Sequence, residues 1–143
     1  MRFWDSSALV AVSAHDRHFE RALPLLREDP EIAVWWATRI ECVSGLRRRR
    51  RAGELDEAGE LQAMERLNSL AAEWVEVQPS AEVRLEAERA LRHYVLGAGD
   101  ALQLAAALDW AGARRAGVEM VTFDKQLAHA ARFEGFTVLP ANG

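Results

Sequence analysis

Four acidic residues, Asp5, Glu41, Asp100 and Asp124, stand where a folded parallel sheet would bring them together. Asp5 and Asp124 each follow an apolar stretch typical of a buried strand. Glu41 and Asp100 lie near the starts of predicted helices. Carboxylates crowded into one crevice repel each other and lose solvation unless a cation lies between them. Oxygen ligands suit Mg²⁺ or Mn²⁺, and such an ion can polarise a phosphodiester and activate water. The four acids therefore predict metal-dependent phosphodiester hydrolysis.

Each acid taken alone also fits a purely structural role. Aspartate is a favoured N-cap, so Asp5, Asp100 and Asp124 could each cap a helix. Thr38 and Glu41 have the spacing of a capping box, in which the glutamate reaches back to the first residue. Capping does not explain why four acids would gather at one edge of a sheet, so we predict that they form a shared site.

The elements that would position these acids alternate between short strands and helices. The apolar patterns and turn residues predict strands over residues 2–4, 32–35, 75–77, 118–123 and 136–139. They predict helices over residues 8–14, 17–27, 37–51, 54–74, 80–95, 101–116 and 124–133, with a Gly-Ala-Gly break before Asp100. This alternation indicates an α/β domain with a parallel sheet of about five short strands, covered by helices on both faces. Ligands of such sheets bind beyond the carboxyl ends of the strands.

Composition limits the class of protein. The 143 residues fit one compact domain, predicted to span residues 1–143, and half of them are hydrophobic. A lone cysteine, Cys42, excludes an internal disulfide and suits a reducing cytoplasm. The N-terminal apolar stretch is interrupted by Asp5, which argues against a signal peptide or a membrane span. We therefore expect a cytoplasmic protein without membrane contact.

Five consecutive arginines follow Glu41 on the same predicted helix, although the formal net charge is −4. They end a helix, where cations complement the helix dipole, so a solvated helix end is one interpretation. The other is contact with the phosphates of a nucleic acid, for which the candidates are Arg47, Arg48, Arg50 and Arg51.

Several aromatic and imidazole residues have weaker signals. Trp35 and Trp36 could stack a base, but the burial of parallel strands favours core packing. His15 and His18 have helical spacing without a third zinc ligand, so we expect surface residues.

Four segments carry a family resemblance, in order and at suitable spacing. The stretch FWDSSALV (residues 3–10) resembles the opening motif of PIN-domain nucleases. The segment TRIE (38–41), followed by GLR (45–47) and AGEL (52–55), is similar to their second motif. DALQLAAA (100–107) and VTFDKQLA (121–128) resemble the third and fourth motifs. Gly97 and Gly99 depart from the pattern, because toxins of this kind often carry an arginine and a bulkier residue there.

The resemblance implies a Mg²⁺- or Mn²⁺-dependent endoribonuclease, a VapC-type toxin of a type II toxin–antitoxin system. It implies that Asp5, Glu41, Asp100 and Asp124 form the catalytic and metal-binding quartet. Ser7 and Thr122 would orient carboxylates or metal-bound water. The implied partners are an RNA substrate, a small antitoxin that covers the active site, and either a second copy in a homodimer or the antitoxin in a heterocomplex. Two alternatives stay open: a catalytically silent PIN-like interaction module, and a PIN nuclease that acts on DNA or in RNA maturation.

Overall fold

Five parallel strands form one sheet in the computed structural model, which describes residues 1–141. The strand order is β3-β2-β1-β4-β5. The strands are β1 (Arg2–Trp4), β2 (Ile32–Trp35), β3 (Val75–Val77), β4 (Glu119–Val121) and β5 (Thr137–Leu139). The predicted α/β class with five parallel strands is confirmed. Of the domain predicted for residues 1–143, the last two residues lie outside the described part.

Within residues 1–141, seven helices cover this sheet on both faces. They are α1 (Ser6–Ala14), α2 (Phe19–Glu28), α3 (Thr38–Arg51), α4 (Glu57–Ala71), α5 (Ala81–His93), α6 (Ala98–Ala111) and α7 (Lys125–Phe133). One core cluster joins Phe3 of β1 to α5, α6 and α7. The other joins Trp4, on the opposite face of the same strand, to α1–α4. Burial of both faces explains why β2 is apolar throughout, and why Phe3 and Trp4 are neighbours in β1, rather than alternating with polar residues. No helix of residues 1–141 has the length and apolarity needed to cross a membrane.

Strand β1 lies at the centre of the sheet, between β2 and β4. Phe3 pairs with Ala33 on one side and with Met120 on the other. The chain therefore leaves β1 next to the end of β4, and both strands point their carboxyl ends to the same edge. In open α/β sheets, the place where connections leave neighbouring strands in opposite directions is where ligands bind.

Helix α6 differs most from its prediction. It begins at Ala98 and ends at Ala111, whereas the sequence pattern predicted residues 101–116. The predicted glycine break is wrong in part: Gly97 is the extended N-cap residue, and Gly99 already lies inside the helix. Helix propensity alone disfavours glycine there, so packing against neighbouring elements determines this start.

The apolar residues of two helices are only partly buried. Ile40 of α3 and Leu61 of α4 are 66% and 61% exposed, whereas Leu46 and Leu67 on the same helices are fully buried. Each helix therefore buries a narrower strip than its sequence pattern indicates.

Candidate active site at the carboxyl edge of the sheet

Asp5 is the most deeply buried of the four acids, at 2% exposure, and it follows β1 directly. Its Oδ1 accepts hydrogen bonds from the Ser7 hydroxyl at 2.7 Å and from the Ala8 amide at 3.3 Å. Its Oδ2 accepts from the Thr122 hydroxyl at 2.9 Å. Asp5 is thus the N-cap of α1, and it is also tied to the end of the neighbouring strand β4.

Asp124 lies opposite Asp5 and caps α7, because its Oδ1 accepts from the Leu127 amide at 2.8 Å. The backbone before it is held by the same hydroxyls that contact Asp5. The Asp124 amide donates to Thr122 Oγ1 at 3.0 Å, and the Phe123 amide donates to Ser7 Oγ at 2.9 Å. Ser7 and Thr122 therefore fix the separation of the β1 and β4 ends.

Asp100 has no capping role. It is the third residue of α6, whose N-cap is Gly97, so the capping alternative fails for this acid. The pKa of Asp100 is raised to about 6, first by burial, then by the charge of the adjoining Asp124 and a hydrogen bond to it, and last by the charge of Glu41. The negative charges of two other members of the quartet, Asp124 and Glu41, therefore both act on Asp100.

Glu41 does not form the predicted capping box with Thr38. Ala37 is the N-cap residue of α3, and no side chain caps this helix. Instead, the Gln103 amide group donates to Glu41 Oε1 at 2.6 Å and to the Thr38 hydroxyl at 2.9 Å. The second carboxylate oxygen of Glu41 faces Gly99, where a Cβ atom would lie 3.0 Å from Oε2. Gln103 and Gly99, one turn apart on α6, form the cradle of Glu41, and neither was identified as a site residue from the sequence.

The electrostatics of the cluster match its composition. Burial raises the pKa of Asp5 to about 7 and also raises the pKa of Glu41. The opposing contributions to both come from hydrogen bonds rather than from basic side chains. Ionised carboxylates in such a place are destabilising without a compensating charge. Oxygen atoms are the ligands that hard divalent cations prefer. Among residues 1–141, no three His, Cys, Asp or Glu side chains are arranged so that they could already hold a metal ion.

An open cleft of about 710 Å³ adjoins the acids, since Ser7 and Asp124 both belong to its lining. Arg48 and Arg49 line it, whereas the Arg47 guanidinium turns to Glu60 on α4 at 2.7 Å. Arg49 was left out of the predicted phosphate contacts. Among the other candidates, Arg50 is half-buried and Arg51 is exposed; neither lines the cleft.

Two aromatic predictions need correction or completion. Trp36 is 52% exposed, because β2 ends at Trp35 and only that tryptophan packs in the core. His18 is half-buried and stacks on Phe123, with ring centroids 4.3 Å apart and an interplanar angle of 12°. The sequence carried no signal for this contact, because the two residues are joined only by the folded sheet.

Comparison with solved structures finds the same fold in bacterial toxins and their complexes. The toxin VapC20 of Mycobacterium tuberculosis, described as cleaving the sarcin–ricin loop, is 17% identical with a TM-score of 0.68, over 96% of this chain and 97% of that one. A toxin–antitoxin complex from Klebsiella pneumoniae is 18% identical with a TM-score of 0.63, over 90% and 91%. VapBC2 of Rickettsia felis, bound to a promoter DNA fragment, is 15% identical with a TM-score of 0.61, over 96% of each chain.

Comparison with curated protein sequences finds no significant match. The family model for the PIN domain, in contrast, matches residues 2–133. This match includes all four acids and every strand except β5. The chain belongs to the PIN domain family.

Proposed function

We propose that this protein is a metal-dependent endoribonuclease and the toxin of a type II toxin–antitoxin pair. The observation that carries the proposal is Asp100, which caps no helix and lies against Asp124 and Glu41 with a raised pKa. A half-buried carboxyl group that serves no structural bond and adjoins like charges is typical of a functional site. Membership of the PIN family supplies the reaction class.

Asp5, Glu41, Asp100 and Asp124 would hold one or more Mg²⁺ or Mn²⁺ ions. The donor types fit, since all four are carboxylates in a partly buried crevice and their charge is uncompensated, and a bound ion would draw them closer together than they lie here. When bound, such an ion would polarise the phosphodiester and lower the pKa of a water molecule.

The chain's own residues would set the geometry of the reaction. Ser7 and Thr122 donate to the two oxygens of Asp5 and so fix the orientation of this carboxylate, whose remaining lone pairs would serve a cation. Gln103 orients Glu41 in the same way. The cleft lined in part by Ser7 and Asp124 would admit the RNA strand.

The partners follow from the toxin role. Among structures of the same fold are toxin–antitoxin complexes, which supports an antitoxin as the partner that covers this site. We also propose a symmetric homodimer, the commonest assembly of soluble proteins, or a heterocomplex with the antitoxin. Action on cellular RNA would place the protein in the cytoplasm.

The test is RNA cleavage by Asp100→Asn, compared with Asp109→Asn on the same helix. Asp109 is exposed and on α6, so its variant controls for loss of one helical charge. We expect that Asp100→Asn nearly abolishes cleavage at an unchanged melting temperature, while Asp109→Asn cleaves like the wild type. EDTA should stop cleavage, and Mg²⁺ or Mn²⁺ should restore it. Cleavage that persists in excess chelator, or in folded Asp100→Asn, would contradict the proposal and favour contamination or a different chemistry.

A further inference from the structure

The cleft beside the acids has walls from two parts of the chain that the four PIN-like motifs only partly include. One wall is the loop between α1 and α2, and the other is the C-terminal half of α3. Its volume of about 710 Å³ falls within the range of about 300–1,000 Å³ that is usual for ligand sites. Because Ser7 and Asp124 belong to its lining, a ligand in the cleft would reach the acidic cluster.

An aromatic surface lines this cleft. His18 and Phe123 both belong to its lining and stack on each other nearly in parallel. The Arg21 guanidinium lies 5.7 Å from the centroid of the Phe123 ring and so holds the pair from the side of α2. Burial lowers the pKa of His18, so the imidazole is neutral at neutral pH and contributes a π surface rather than a charge.

The charges at the cleft fall into two groups. Arg49 is fixed, because it donates to Asp16 at 3.0 Å and to the Gly45 carbonyl at 3.1 Å. Arg48 is exposed, and its guanidinium donates a hydrogen bond to the Ser44 hydroxyl at 3.1 Å. Arg48 can therefore turn to a bound anion at little cost.

The remaining lining charges favour a polyanion once the acids are compensated. Asp16 is neutralised by Arg49, and Asp124 belongs to the proposed metal site. Glu54 then stands alone against Arg17 and Arg48. Charged and imidazole side chains dominate the lining, whereas the buried centre of a protein–protein interface is depleted of charged residues.

We propose that this cleft binds an unpaired stretch of RNA next to the cleaved bond, with Arg17 and Arg48 on phosphates and the His18–Phe123 pair stacking a base. The inference rests on the proposed nuclease function and names residues of this chain, outside the acidic cluster, that would hold the RNA strand beside that site. A stacked base must be free of its neighbour in a duplex, and arginines on phosphates supply affinity without sequence preference.

Binding of a short fluorescein-labelled single-stranded RNA, followed by anisotropy in EDTA over a salt series, tests the cleft separately from catalysis. Without a cation the four acids lower the affinity of the wild type and of every cleft variant alike, so the comparison between variants still reports on the cleft. Arg48→Gln should weaken binding and reduce the salt slope by about 0.7, the value for one lost phosphate contact on a single strand. The matched control is Arg51→Gln, an exposed arginine at the end of the same helix and outside the cleft, which should keep the wild-type slope.

The stacking part has its own signature. His18→Ala should weaken single-strand binding by about tenfold with an unchanged salt slope, because a stacking contact releases no counterions. His18→Tyr should restore binding, and melting temperatures show that each variant is folded. With duplex RNA, His18→Ala should have no effect.

Three outcomes would overturn the inference: Arg48→Gln and Arg51→Gln with equal slopes, His18→Ala with wild-type affinity, or variants that bind RNA normally but lose a cognate antitoxin. The last would assign the cleft to a protein partner. If the predicted binding pattern holds but the wild-type protein cleaves no RNA with Mg²⁺ or Mn²⁺, the cleft inference stands and the nuclease proposal fails.

Discussion

Replacing Gly99 with alanine tests how closely α6 approaches Glu41. A Cβ atom at position 99 would lie 3.0 Å from Glu41 Oε2, so the carboxylate would have to move by a few tenths of an ångström. This movement would disturb the hydrogen bond of 2.6 Å that Glu41 Oε1 accepts from Gln103. Gly97, two residues earlier, offers a matched control, because nothing lies within 4 Å of a Cβ built there.

The two effects of Gly99→Ala have opposite signs. The atom displaced is the end of a flexible side chain, so the steric cost to stability is small, and alanine is up to about 1 kcal/mol better than glycine in a helix. The site should be affected more. A misplacement of about 1 Å can cost about a hundredfold in rate, and loss of support for a metal ligand costs about ten- to a hundredfold. For a shift of a few tenths of an ångström we expect about a tenfold loss in metal affinity and in kcat/KM.

Isothermal titration with Mn²⁺, RNA cleavage and thermal unfolding together decide the outcome. Gly99→Ala should unfold at or above the wild-type temperature, bind Mn²⁺ about tenfold more weakly and lose a similar factor in cleavage. Gly97→Ala should lose a few tenths of a kcal/mol in stability, because alanine is a poorer N-cap than glycine, and keep its activity. Equal Mn²⁺ affinity and kcat/KM in both folded variants would refute the close approach as a functional constraint.

Three further predictions use the same cluster. Burial raises the pKa of Asp5 to about 7, so the folded protein binds more protons than the unfolded chain between about pH 4 and 7. The folded protein therefore loses stability as the pH rises through that range. In EDTA, the stability of Asp5→Asn relative to the wild type should increase from pH 4 to 8, and a difference that stays constant with pH would contradict this. Gln103→Met removes a hydrogen bond that lowers the pKa of Glu41, so the acidic limb of the pH–rate profile should move to higher pH. A purely structural role of Gln103 would change only the melting temperature. Expression of the chain alone should arrest bacterial growth, Asp109→Asn should retain the arrest, and an arrest that survives Asp100→Asn would exclude RNA cleavage as its cause.

The arrangement of the strands could be predicted because it depends on local patterns. Each strand is a short, mainly apolar run, and alternation with helices restricts the sheet to parallel pairing. The resemblance to the four PIN motifs identified the acids that should share one edge, and the structure places Asp5 beside Thr122 and Asp100 beside Asp124. Their metal-binding and catalytic roles stay predictions.

Contacts between distant segments could not be predicted in the same way. The pattern around Ile40 shows which residues share a helix face, but not whether another element covers it, and this residue is exposed. The stack of His18 on Phe123 joins residues more than a hundred positions apart. Gly99 was interpreted as a helix break because glycine is a poor helix former, whereas the structure uses its missing side chain to admit Glu41.

Capping and metal binding, which the sequence presents as alternatives, turn out to be compatible at two of the four acids. Asp5 and Asp124 each cap a helix with one oxygen, and this bond fixes the carboxylate at the sheet edge. Asparagine is as good an N-cap as aspartate, so Asn variants at both positions keep the capping oxygen and remove the charge. At Asp5 the amide group would also take the place of the oxygen that accepts from the Thr122 hydroxyl, which can reorient and accept instead. Asp100 and Glu41 cap nothing, and their carboxyl groups have no structural bond to lose other than those to Gln103 and Asp124. Asn or Gln substitutions at all four positions therefore separate the charge from the fold, and a loss of cleavage in folded variants can be attributed to the missing carboxylate.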